Sequence, residues 1–125
     1  MNYICDLDPN IYRAVVKEIA TSSVIITDRQ IEHIRERHPD ISGTIIAQLS
    51  KIILEPDYII DTDMPYTANI LKQLEINGKG YQLVLRIRTE SDPANFQNSV
   101  ITFMSVNPKR YKQYLRNRKI LYKRK

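Results

Sequence analysis

Two histidines, His33 and His38, fall within the run Thr27–Pro39, with Arg37 between them. Histidine is the side chain best poised to exchange protons near neutral pH. The planar guanidinium fork of arginine matches phosphate oxygens. Together they are the equipment of acid–base chemistry on a phosphate ester. Further on, Arg86 and Arg88 lie on one side of the alternating run 81–89, opposite Tyr81, Leu83, Leu85 and Ile87. Side by side on an open sheet face, they would form a phosphate clamp. Ser99 and Thr102 offer hydroxyls in the run 98–105, and Lys72 offers another cation. Each has a plainer reading. His38 shares a helical face with Ile31 and Ile34 and suits packing, whereas His33 flanks that face beside Arg37. The arginines serve equally as soluble charges, and strand hydroxyls usually fill space.

These residues need a helix and strands to hold them. Thr27 followed by Gln30 is a capping box, and His38-Pro39 a stop, so 28–37 reads as a helix. Ile45, Leu49, Ile52 and Ile53 form the stripe of a second helix that ends before Pro56. From Asp57 the period becomes two, giving strands at 58–61, 69–76, 81–89 and 98–105, with Asn77-Gly78-Lys79-Gly80 as a hairpin turn. Residues 11–19, rich in β formers, read as an earlier strand, and 23–26 as a short extended run. Asn107-Pro108 caps a late helix over 109–117, and 119–122 reads as an edge strand. The fold expected is α+β, with N-terminal helices packed on one face of an antiparallel sheet of four to five strands. The other face stays partly open for a substrate. Residues 1–10 read as a polar lead-in and 11–125 as a single domain.

Composition narrows the chemistry. The chain has 125 residues and one cysteine, Cys5, which excludes an internal disulfide framework and a cysteine-rich zinc site. No metal-ligand spacing and no glycine-rich phosphate loop appears, so neither a metal nor a cofactor is expected. No apolar run is long enough for a membrane span, and the N-terminus is not a signal peptide, so a soluble, cytoplasmic protein is expected. The net charge of +5 hides an asymmetry. Residues 107–125 carry nine basic side chains and no acidic one, among them Lys109, Arg110, Arg116 and Arg118. The preceding residues carry a net −4. A basic block of this kind suits a phosphate backbone. The alternative is a solvated tail anchored by Tyr111, Tyr114 and Tyr122.

The pattern Thr27-x-x-Gln30-x-x-His33-Ile34-x-x-Arg37-His38-Pro39 is followed by Pro56-Asp57-Tyr58-Ile59, Leu71-Lys72 and Leu83-Val84-Leu85-Arg86. Asn98-Ser99-Val100-Ile101-Thr102-Phe103 and Leu121-Tyr122-Lys123 complete it. In order and spacing this resembles the phage-associated branch of the barnase–EndoU–colicin–RelE-like (BECR) nucleases, over roughly residues 11–123. The resemblance implies two helices followed by a four-stranded antiparallel sheet, and a metal-independent RNase of a phage, mobile element or toxin system. It implies a helix histidine at His33 or His38, basic strand residues at Lys72 and Arg86, and a hydroxyl at Ser99 or Thr102.

The function expected is endoribonuclease cleavage of tRNA or mRNA by the substrate's own 2′-OH, leaving a 2′,3′-cyclic phosphate. One histidine exchanges the proton. Arg86, with Lys72 or Arg88, stabilises the phosphorane, and Ser99 or Thr102 holds a phosphate oxygen. Arg37, Arg88, Lys109, Arg110, Arg116, Arg118 and Tyr122 grip the RNA. A toxin role implies an immunity or antitoxin protein as partner. Two rival readings are a non-catalytic RNA-binding module and a protein-interaction domain of a phage or mobile element.

Overall fold

The N-terminal strand of a computed structural model covering residues 1–125 is Asn2–Asp6, β1, inside the stretch expected to be a polar lead-in. Its polar ends conceal Ile4 and Cys5, each 6% exposed, with Leu7 buried just beyond. Asp8 accepts from the Asn10 amide at 2.9 Å and caps one helical turn, α1 (Pro9–Tyr12), with Pro9 in the first turn. The strand expected at 11–19 is absent. Ile11, Tyr12, Val15, Val16 and Ile19 recur at helical spacing, and all pack on the core. β-branched residues disguised that period. Tyr12 is fully buried, and its hydroxyl donates to the Ile53 carbonyl at 2.7 Å.

The remaining elements follow the sequence closely. They are β2 (Ser23–Ile26), α2 (Asp28–Arg37), a 3-10 turn at Pro39–Thr44, α3 (Ile45–Leu54) and β3 (Tyr58–Ile60). Then come β4 (Thr67–Gln73), β5 (Gly80–Arg86), β6 (Asn98–Val106), α4 (Pro108–Asn117) and β7 (Ile120–Lys123). Thr27 caps α2 through the Gln30 amide at 3.2 Å. The Gln30 side chain does not return to Thr27, so only half of the expected capping box forms.

The sheet has seven strands, not four or five, in the order β1-β2-β6-β5-β4-β3-β7. All pairs are antiparallel except β2 with β6, which spans only Val24↔Asn98 and Ile25↔Ser99. Cross-strand partners share a face. Tyr81, Leu83 and Leu85 therefore sit with Ile70, Ala68, Phe103 and Val100, and Ile31, Ile34, Leu49 and Ile52 of α2 and α3 complete this core. The opposite face carries Gln82, Val84 and Arg86 with Asn69, Thr67, Met104, Thr102 and Ser99. The pairings make β7 run the same way as β6, so β6-α4-β7 is a crossover over this second face. Tyr111 of α4 packs against Tyr58, with rings 6.4 Å apart, and the Tyr114 hydroxyl meets Gln82 Oε1 at 3.4 Å. The expected open face is thus partly roofed by the late helix. No helix is long and apolar enough to cross a membrane.

Gly80 lies directly beneath the roof. A Cβ there would stand 2.9 Å from Tyr111 Cδ2 and 3.3 Å from the Val106 carbonyl oxygen. Nothing lies within 4 Å of a Cβ at Gly43. Gly80→Ala is expected to destabilise the protein by about 1–3 kcal/mol through overpacking. Gly43→Ala is expected to be neutral or stabilising by about 0.5 kcal/mol. Urea titrations of the two variants against the parent check the contrast.

Candidate active site

α2 lies along the edge of β6 that β2 leaves unpaired. Beyond Ser99, β6 has no strand partner on this side. Ile101 falls at a register break between Val100↔Leu85 and Thr102↔Val84, so it is the extra residue of a bulge. Its side chain is 37% exposed, and its carbonyl accepts from Gln30 Nε2 at 2.7 Å. That bond fixes α2 against the edge and leaves a groove of about 190 Å³ lined by Gln30, His33, Ile34, Arg37, Ile101, Thr102 and Phe103. The helix supplies one wall and the bulged strand the other. An imidazole, a guanidinium, a carboxamide and a hydroxyl share this groove. His33 and Arg37 are exposed, and neither forms an ion pair.

The other candidates are placed elsewhere. His38 is 8% exposed and lies edge-on to Tyr81 and Phe103, with ring centroids at 5.7 and 5.3 Å. Its Nε2 is buried without a hydrogen-bond partner. This is the packing role that its helical face allows. Burial pushes its pKa below the ordinary 6.5; Asp40 opposes that shift, and Arg37 and Lys79 add to it. Lys72 is 2% exposed. Its Nζ donates to the Glu55 carbonyl just past α3 and pairs with Asp57 at 3.4 Å, so it secures a helix end on the core side of the sheet.

Arg86 and Arg88 do not form a clamp. β5 ends at Arg86, which grips Asp92 with two hydrogen bonds at 2.9 and 3.2 Å and donates to the Ile87 carbonyl. Asp92 also accepts from the Thr89 amide at 2.8 Å. The Thr89 amide and Arg86 hold the Asp92 carboxyl below the usual carboxylate range. Arg88 is half-buried with Nε enclosed and unpaired, and its backbone amide donates to Asn98 Oδ1 at 2.7 Å. Ser99 pairs with Arg86 across the strands, two positions along β5 from the level of Thr102.

The basic block divides. Arg118 pairs with Asp63 at 3.6 Å and Arg124 with Asp57 at 3.5 Å. Arg110 stacks on Tyr114 and donates to its hydroxyl at 3.0 and 3.2 Å. Lys109 and Arg116 are exposed on α4 with no ion pair. Tyr122 lies opposite Ile59 and packs on the core, so it anchors β7 to the sheet.

In the sequence Gln30 reads only as a helix cap; its reach to β6 depends on a bulge that no local pattern reveals. Nor does any mark Tyr66 and Phe96. Each ring lies 5.2 Å from the Arg86 guanidinium carbon. Tyr66 adopts φ +54°, a left-handed conformation that for a bulky residue costs of order 1–3 kcal/mol. No three His, Cys, Asp or Glu side chains converge on a common point.

An imidazole and a guanidinium thus share a strand-edge groove on a sheet roofed by a cationic helix. The chain belongs to PBECR2, the phage-Barnase-EndoU-ColicinE5/D-RelE like nuclease2 family, which it matches over residues 6–123. The expected resemblance is thereby shown, and the protein is a BECR-type nuclease. No curated protein and no solved structure gives a significant match.

His38 provides a test of this division of roles. An unfolded chain binds a proton at His38 near the ordinary 6.5, whereas the folded chain resists it, so the unfolded state holds more protons between the two values. The stability contributed is complete above 6.5 and is lost as pH falls through the lowered folded value. Melting temperatures of the parent are expected to fall as pH drops below about 6.5, and His38→Leu to flatten that part of the profile.

Proposed function

We propose that the protein is an endoribonuclease that needs no metal ion and cleaves RNA with the substrate's own 2′-OH. The observation that carries this reading is the groove in which exposed His33 and Arg37 face Thr102 across the gap between α2 and β6. His33 removes the 2′-OH proton, and the freed oxygen attacks the adjacent phosphorus. The bond from phosphorus to the 5′-oxygen breaks, and that oxygen takes a proton from water at the open mouth of the groove. The products are a 2′,3′-cyclic phosphate and a 5′-OH. Arg37 offsets the extra negative charge on the phosphorane, a kind of stabilisation strengthened in a partly enclosed site. The Thr102 hydroxyl holds a phosphate oxygen. Lys109 and Arg116, free of acidic partners, attract flanking phosphates.

An RNase of this kind acts as a toxin in the cytoplasm, where tRNA and mRNA are found, and calls for an antitoxin or immunity protein. The rival reading is an RNA-binding module whose salt-dependent binding and biological effect survive loss of His33.

Cleavage of mixed tRNA and mRNA in EDTA distinguishes the two. Parent protein is expected to leave cyclic phosphate ends, and a 2′-deoxy substitution at the cut site to block the cut. His33→Ala is expected to lower the rate by about 10²- to 10⁴-fold, the usual contribution of general acid–base catalysis. Equal cutting of DNA, a metal requirement, or a His33→Ala protein of full activity would each rule the mechanism out. In cells, His33→Ala is expected to relieve the toxicity of expression.

A further inference from the structure

Near the groove, on the second face of the sheet, is a group that the proposed reaction does not use. Arg86 is fixed at its tip by two hydrogen bonds to Asp92, so its charge is already answered. Its guanidinium instead lies over two aromatic rings, Tyr66 and Phe96, at 5.2 Å from each. One face of each ring is taken by the arginine, yet Tyr66 remains 47% exposed and Phe96 39%. Burial would normally be the more favourable fate for rings of this size. Tyr66 is also the only non-glycine residue with positive φ, so the backbone holds this ring in a sparsely populated conformation.

We propose that Tyr66 and Phe96 form a stacking platform for an unpaired nucleobase of the RNA, next to the phosphate held in the α2–β6 groove. The inference rests on the proposed RNA cleavage for its ligand, and on three features of its own. The first is position. Arg86 stands opposite Ser99, and Val84 opposite Thr102, so the arginine beneath the rings is two residues along β5, and three along the bulged β6, from the level of Thr102. The offset is about 6.6 Å along β5 with one interstrand step of about 4.8 Å across to β6, the scale of a nucleotide and its neighbour. The second is rigidity. A guanidinium locked by a carboxylate gives each ring a fixed surface to rest on before a ligand arrives, and such preorganisation lowers the entropy lost on binding. The third is charge. Because Arg86 is neutralised, the site favours a flat, polarisable ring over a bare phosphate. A base has such a π-face whatever its sequence.

The test uses full-length protein and two probes that it cannot cleave: 2′-O-methyl oligoadenylate, and a ribose-phosphate chain of equal length without bases. Parent protein is expected to bind the base-bearing chain roughly 5- to 150-fold more tightly, the range for one stacked base. Tyr66→Leu and Phe96→Leu are each expected to erase most of that preference while leaving affinity for the base-free chain unchanged. Tyr66→Phe is expected to retain it. A base analogue fluorophore, 2-aminopurine, placed in the chain is expected to be quenched on binding the parent, a measurement that needs no variant. Equal binding of the two probes by the parent, or a preference that persists in the Tyr66→Leu, Phe96→Leu double variant, overturns the platform. His33→Ala should keep the full preference. A failure of the cleavage mechanism would therefore leave this result standing, and the two ideas can fall separately.

Discussion

The carboxamide of Asn98 holds the two halves of the sheet together. The residue is completely buried. Its Nδ2 donates to the Thr21 and Ser23 carbonyls at 2.7 and 2.9 Å, and its Oδ1 accepts from the Arg88 amide. Both donors and the acceptor are thus occupied, as a buried amide requires. Without these bonds, a two-residue parallel pairing would be a weak seam between β2 and β6. β2 carries β1 on its other side and leads directly into α2. The position of α2 at the β6 edge, and the groove between them, therefore follow from where Asn98 fixes β2. Removing the carboxamide would leave three partly buried backbone groups without this partner, each with a penalty of up to about 1–3 kcal/mol where water cannot replace it.

The short reach of β2 is equally consequential. A longer β2 would pair with Ile101 and Phe103 and fill the edge with backbone hydrogen bonds. Because β2 stops at Ile26, the edge is left to a side chain, Gln30, which satisfies one carbonyl and leaves space beside it. The bulge at Ile101 accommodates this contact by breaking the register with β5. Strand length, bulge and helix entry together create a cleft without any dedicated loop.

Much of this was legible in the chain. Thr27, Gln30 and Pro39 mark α2 because capping and proline geometry are local. The Asn77-Gly78 turn, the strands beside it and the Asn107-Pro108 helix start are local for the same reason. Alternation along 81–87 separated the core side chains of β5 from the rest. Other features depended on distant partners. β1 was hidden because only its central residues are apolar, and its pairing is with β2, some twenty residues on. Residues 11–19 carried the helical period, but β-branched side chains made them look extended. His38 lay on the packing face of its wheel, and that face proved decisive. The fates of Arg86 and Lys72 could not be read from their own strands. Asp92 reaches one from the following loop, and the Glu55 carbonyl and Asp57 reach the other from beyond α3.

The contact between Gln30 and Ile101 joins positions 71 residues apart. Helix α2 leaves the ribosome well before the strand that forms the other wall of its groove. Long-range pairing of this kind is slow compared with local helix and hairpin formation. Nascent chains shorter than about residue 103 have His33 and Arg37 on a helix with nothing opposite. A nuclease built in this order has no groove until β6 has followed α2 out of the ribosome.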